Sequence, residues 1–263
     1  MTMYGLQMDG VSDDTRRAKI TRAALGAFYG FLGGAAFVFV AAFIDIWLHP
    51  DLPLGVDWST FAARLPLIAL GLALIGAVTC WWNEAWQGLL SGSAVSAALA
   101  LIAALVSAQV AAGMKIVVLV FILLPVAAMT LPIAWVLRRL MERHAFAMRH
   151  EQGRARLAWL VVITLGLGAA GGYFMKMPAR AVDATRVVDG LLQNPAQADN
   201  PIGSVEGASG RQGVPYLLYQ KPSIFSTEGF DVRAAYEDGF ALTCVVVLYP
   251  GRDPYVSICR AEK

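Results

Sequence analysis

Five apolar stretches, each at or near the length of a bilayer crossing, set what this chain can fold into: Arg22–Trp47, Phe61–Trp82, Ser93–Ala112, Ile116–Leu137 and Leu157–Met175. A helix needs about 20 mostly apolar residues to traverse the hydrocarbon core. None of the five carries an acidic or basic side chain near its centre. After them comes a polar segment of 87 residues, 177–263. The predicted fold class is a polytopic α-helical membrane protein with five transmembrane helices and a small C-terminal extracytoplasmic α+β domain. Its predicted divisions are an N-terminal cytoplasmic tail over 1–21, a transmembrane domain over 22–176 and the extracytoplasmic domain over 177–263.

Composition agrees. Hydrophobic residues make up 57% of the chain and charged ones 15%, which is membrane-like rather than globular usage. A net charge of +2 argues against nucleic acid as a partner. Residues 1–176 hold 13 Lys/Arg against 9 Asp/Glu, and residues 177–263 hold 8 against 10, so the two parts differ in sign. About 20 polar residues precede the first apolar run. That run is longer than the 7–15 residues of a secretory leader's core, so it is expected to be a retained span.

Basic residues flanking spans mark the cytoplasmic side. Arg16, Arg17, Lys19 and Arg22 precede the first stretch. Arg138, Arg139, Arg143, Arg149, Arg154 and Arg156 lie between the fourth and fifth. The link between the first two stretches has Asp51 and Asp57 but no cation before Arg64. With five crossings, a cytoplasmic N-terminus puts the C-terminal domain outside. The expected location is the inner (cell) membrane. All seven tryptophans fall at stretch ends or in links, where indole is half buried with its N–H still wet.

Small residues recur at four-residue spacing: Gly26, Gly30 and Gly34 in the first stretch, and Ser96, Ala100, Ala104, Ala108 and Ala112 in the third. Residues four apart share a helix face, and small side chains allow close backbone approach. Intramolecular packing is the favoured reading, with a dimerisation seam as the alternative. Pro125 and Pro132 are expected to kink the fourth span. Asp45 is expected to be a solvated carboxylate at the interface.

In the tail, Ala179–Asn194 has helical spacing of Val182, Val187, Val188, Leu191 and Leu192. Residues 195–213 read as a linker. Asp238–Gly239 is the signal for a two-residue hairpin turn. That turn would set Val232 opposite Val245 and Phe230 opposite Val247. The turn at 250–253 would set Val247 opposite Val256, Val245 opposite Ile258, and Cys244 opposite Cys259. The expected result is a three-stranded meander with one apolar face covered by the helix, and Tyr216–Gln220 as a candidate fourth strand. Opposed cysteines in an oxidising compartment predict a Cys244–Cys259 disulfide.

No His/Cys/Asp/Glu cluster has metal-ligand spacing, the tail has no histidine, and no cofactor or catalytic constellation is expected. The leading expectation is a non-enzymatic membrane protein presenting its disulfide-bonded domain to a protein partner, as an accessory subunit of a membrane complex. Its contact surface is expected in Tyr216–Leu217–Leu218–Tyr219 and in Leu242, Val246, Leu248 and Tyr255. The alternative is a small transporter or channel with a cavity near the two prolines. A third is a lipid-modifying enzyme, for which no residue can be named.

Overall fold

The computed structural model describes residues 6–107, 131–144, 153–194, 215–220, 229–247 and 253–262. The chain is mostly helical and ends in a small antiparallel sheet closed by a disulfide. The helices are α1 (Leu6–Leu48), α2 (Trp58–Trp81), α3 (Ala85–Ser107), α4 (131–144), α5 (Gly153–Tyr173) and α6 (Ala179–Gln193). Helix α1 begins well before the first apolar run, so the polar N-terminal segment from Leu6 onward is helical. Among the described residues two stretches are long and apolar enough to cross a membrane: Arg16–Leu48 of α1, and all of α2. The apolar part of α5, Leu157–Tyr173, is shorter.

The chain divides into two compact units. One comprises Met1–Val40 with Ala62–Gly172, the other Ala41–Phe61 with Tyr173–Lys263.

In the first unit the helices meet through backbone rather than side-chain bulk. A Cβ at Gly26 would strike the Gly76 carbonyl, one at Gly30 the Leu72 carbonyl, and one at Gly34 the Cα of Ala69. Positions rise along α1 as they fall along α2, so the pair is antiparallel. Gly88 and Gly92 of α3 lie against Thr79 of α2. On the other side Gly92 faces Ala134 and Gly88 faces Arg138, both on α4, so α4 runs antiparallel to α3. Gly168 of α5 lies on the Gly33 carbonyl and Gly171 on Phe37, so α5 runs parallel to α1. Helix direction therefore alternates from α1 to α5. Tyr29, Ile75, Leu137, Leu140 and Leu160 form the buried core of this unit. Tyr29 is fully buried, and its Oη is 2.7 Å from Nδ1 of His144.

In the second unit four strands, β1 (Tyr216–Gln220), β2 (Gly229–Ala235), β3 (Ala241–Val247) and β4 (Tyr255–Glu262), form a sheet in the order β1-β2-β3-β4, antiparallel throughout. Helix α6 packs Ala181, Val182, Ala184, Thr185 and Val188 into the core under this sheet.

The β2–β3 register differs from the expectation by one residue. Val232 faces Cys244 and Phe230 faces Val246, not Val245 and Val247. The loop is three residues, Glu237–Asp238–Gly239, closed by the Tyr236 N–H donating to the Phe240 carbonyl at 2.8 Å. A two-residue type I′ turn needs positive φ at both central positions. Here only Gly239 has it, at +85°, while the Asp238 carboxylate accepts the Phe240 N–H at 3.0 Å. A one-residue slip exchanges the two faces of a strand. Leu242, Cys244 and Val246 are therefore buried in β3, as is Ala241 at its start. Between β3 and β4 the pairs Cys244–Cys259 and Val245–Ile258 match the expectation. A bulge then shifts the register, so Val246 faces Val256 and Val247 faces Tyr255. Ser257 is the extra residue, and it was not visible in the turn spacing.

Candidate functional site

The Cys244–Cys259 disulfide lies in the core, beneath α6, with both cysteines buried. The expected register would have put it on the outer face of the sheet; the three-residue loop puts it inside.

The second unit also contains a part that sequence reading missed: the α1–α2 link. Leu52 is buried in the same core as α6 and the sheet. Leu54 forms a parallel bridge with Leu217 of β1. The Leu217 N–H donates to the Pro53 carbonyl at 2.8 Å, and the Gly55 N–H to the Leu217 carbonyl at 3.3 Å. Gly55 is backed against the Tyr216 side chain. The link thus covers the β1 edge, which would otherwise present unpaired backbone groups. Two carboxylate contacts brace this part of the unit. The Asp45 carboxylate accepts the Met177 backbone N–H at 2.7 Å, and Arg186 of α6 donates to Asp51 at 2.9 Å. Asp45 is therefore engaged with the chain, not merely solvated. The Arg186 hydrogen bond also holds the Asp51 carboxyl below the usual carboxylate range.

This local structure follows from the sequence of the link. Asp57 caps α2: its carboxylate accepts the Ser59 and Thr60 backbone N–H groups at 3.0 and 3.2 Å and both hydroxyls at 2.6 Å. Those bonds, led by Ser59 and then Thr60, hold its pKa down to about 2. The Asp-x-Ser-Thr-type signature before an apolar run was available in the sequence as a helix start.

The expected contact surface needs correction. Leu242 and Val246 are core residues, and Leu217 is fully buried. Leu248 lies outside the described residues. Tyr216 and Tyr255 are exposed. With the observed register, the outward face of β3 and β4 instead groups Val245, Val247, Tyr255 and Ile258, of which Tyr255 and Ile258 are the most exposed. Beside this apolar corner Arg233, Thr243 and Glu262 form a polar ladder over three strands. Arg233 donates to both Glu262 oxygens at 2.9 and 3.1 Å, and Thr243 Oγ1 donates at 2.6 Å. Arg233 and then Thr243 hold the Glu262 carboxyl low.

Of the packing residues read from the sequence, Gly26, Gly30 and Gly34 form the α1–α2 seam described above. Ala100 and Ala104 lie within α3, and Ala108 and Ala112 lie outside the described residues. The described close approach of α3 begins two steps earlier in the same row, at Gly88 and Gly92. Pro125 lies outside the described residues, and Pro132 is exposed in the described part of α4. Pro66 lies inside α2, and the sequence reading passed it over.

Among the described residues of the first unit, Arg138 makes four side-chain hydrogen bonds. Buried, it donates to the carbonyls of Trp82 and Glu84 at 3.2 Å and of Asn83 at 2.6 Å, and to Glu142 at 3.2 Å. These are the carbonyls that follow the C-terminus of α2, where the helix leaves acceptors unpaired and a cation is favoured. The turn it fixes carries Trp81, Trp82 and Trp86. All seven tryptophans are between 40% and 67% exposed.

Among the described residues no group of three or more His, Cys, Asp or Glu side chains is gathered to hold a metal ion. Comparisons with protein-family models, with curated proteins and with solved structures find no match. Membrane association is indicated by the two long apolar helices.

Proposed function

We propose that the chain is a five-span integral membrane protein that holds a disulfide-closed α+β domain on the outer side of the inner membrane, as a non-catalytic interaction subunit of a membrane complex. The observation that carries this reading is the composition of the second unit. The α1–α2 link and the C-terminal domain share one core and one sheet edge, so both lie on one side of any membrane that α1 and α2 cross. The chain between them must then cross an even number of times. Alternating helix direction from α1 to α5, with α5 parallel to α1, supports four crossings in that interval. The tryptophans add support. Trp58 and Trp81 open and close α2, about 35 Å apart along the helix, close to the thickness of a bilayer. Soluble proteins rarely leave every indole exposed, whereas a headgroup layer accommodates them. The basic 138–156 segment then lies in the cytoplasm with the N-terminus.

The disulfide-closed domain offers a folded surface to a partner. The corner formed by Val245, Val247, Tyr255 and Ile258 is the surface best suited to a protein contact. Purification in mild detergent tests this. A partner in fixed stoichiometry is expected with the wild-type chain and absent with a Tyr255→Asp/Ile258→Asp variant of unchanged thermal stability. A chain that purifies alone in both forms contradicts the reading.

A further inference from the structure

The two edges of the sheet differ. The α1–α2 link pairs with β1 at residues 53–55 and covers that edge. At the other end β4 is the last strand, and no described strand lies beyond it. Ser257, Ile258, Arg260, Ala261 and Glu262 are all exposed along it. Such an edge presents a row of backbone N–H and C=O groups ready to pair with a further strand. The bulge at Ser257 sets which side chains stand there. Val256 and Cys259 lie opposite Val246 and Cys244 of the core. Tyr255 and Ile258 lie opposite Val247 and Val245, so they share the outward face although they are three residues apart. Arg260 follows on that face, and alternation from Tyr255 puts Asp253 on it too. Among the described residues neither Asp253 nor Arg260 has an ion-pair partner.

The outward row Asp253, Tyr255, Ile258, Arg260 runs acidic, apolar, apolar, basic, so it is complementary to itself read backwards. Laid antiparallel to a second copy, Asp253 stands opposite Arg260 and Tyr255 opposite Ile258, each pair occurring twice. In a regular strand, residues opposed across a two-fold axis are an even number apart. The extra residue at Ser257 permits the separations of three and seven that these pairs need. One step along the row would instead set Asp253 against Glu262, two carboxylates, which disfavours that register. We propose that two copies of the chain join β4 to β4 about a two-fold axis, making one continuous eight-stranded sheet from two four-stranded ones. The second copy takes the strand edge, which leaves the outward faces of both sheets to another partner.

The test uses the full chain in mild detergent. Size-exclusion chromatography with light scattering is expected to give the mass of two copies, and a dilution series gives the dissociation constant. Asp253→Arg replaces both opposite-charge pairs by like-charge pairs and is expected to weaken the dimer about tenfold. Asp253→Arg/Arg260→Asp restores the pairs in reverse and is expected to recover it. Oxidative cross-linking in membranes locates the contact without altering charge balance across it. Asp253→Cys/Arg260→Cys is expected to give a reducible dimer, because directly opposed positions come within disulfide reach. Either single cysteine variant is expected to give none, because its two copies lie at opposite ends of the paired segment. A wild type of single-copy mass overturns the β4 dimer. So does a double reversal no stronger than Asp253→Arg, or a double cysteine variant that cross-links no better than the single ones.

Discussion

Asp57 and Arg138 perform the same task at the two ends of α2. Asp57 satisfies N–H groups at the start, and Arg138 satisfies carbonyls just past the end. Asp57→Ala is expected to cost about 1 kcal/mol, as for other N-caps, and Asp57→Asn less. The pH dependence has a definite sign. Because the carboxyl is held down to about 2, below its ordinary value, its contribution is present in full above the unfolded pKa. It is lost as pH falls from about 4 toward 2, and acid unfolding of the Asn variant should lack that component. Arg138→Met is expected to be more damaging, on the order of 2 kcal/mol, because it removes the charged hydrogen bonds that tie α4 to the 82–84 carbonyls. Arg138→Lys should recover only part, since an ammonium cannot fork to several carbonyls. Thermal unfolding in detergent reads both. The glycines offer a matched contrast. Gly30→Ala drives a Cβ into the Leu72 carbonyl and should lower the melting temperature. Gly166→Ala meets no atom within 4 Å and should raise it, since alanine favours a helix by about 0.5–1 kcal/mol over glycine.

At the scale of elements, what the sequence made legible and what it concealed have clear causes. The apolar runs of α1 and α2, the α6 stripe of Val182 and Val188, the strand positions and the Cys244–Cys259 pairing were all readable, because periodicity and burial act locally. The β2–β3 register was not. Asp238–Gly239 fits both a two-residue turn and the last two positions of a three-residue loop, and the choice rests on φ at Asp238, which sequence does not encode sharply. The slip moved Leu242 and Val246 from an expected contact surface into the core. The α1–α2 link was concealed for a different reason. Its pairing with β1 is non-local, between Leu54 and Leu217, and nothing in a short apolar segment names a partner that far along the chain. Two outcomes follow. Cys244→Ala/Cys259→Ala should destabilise the second unit by about 3 kcal/mol, the chain-entropy value for a loop of this length. Gly55→Pro should weaken protection of the β1 amides in hydrogen exchange, because it removes the Gly55 N–H that donates to the Leu217 carbonyl, while β3 amides stay protected.

At the scale of the molecule, the account depends on one arrangement. In the proposed topology the link at 49–57 and the C-terminal domain share one side of the membrane, and the basic 138–156 segment has the other. Single-cysteine labelling in intact cells with a membrane-impermeant maleimide tests this most directly. The positions are Asp51→Cys, Asp238→Cys and Arg143→Cys, each exposed in the structure. The account predicts labelling at 51 and 238 without permeabilisation, and at 143 only after it. Labelling of 51 and 238 from opposite sides, or of 143 from outside, would contradict it.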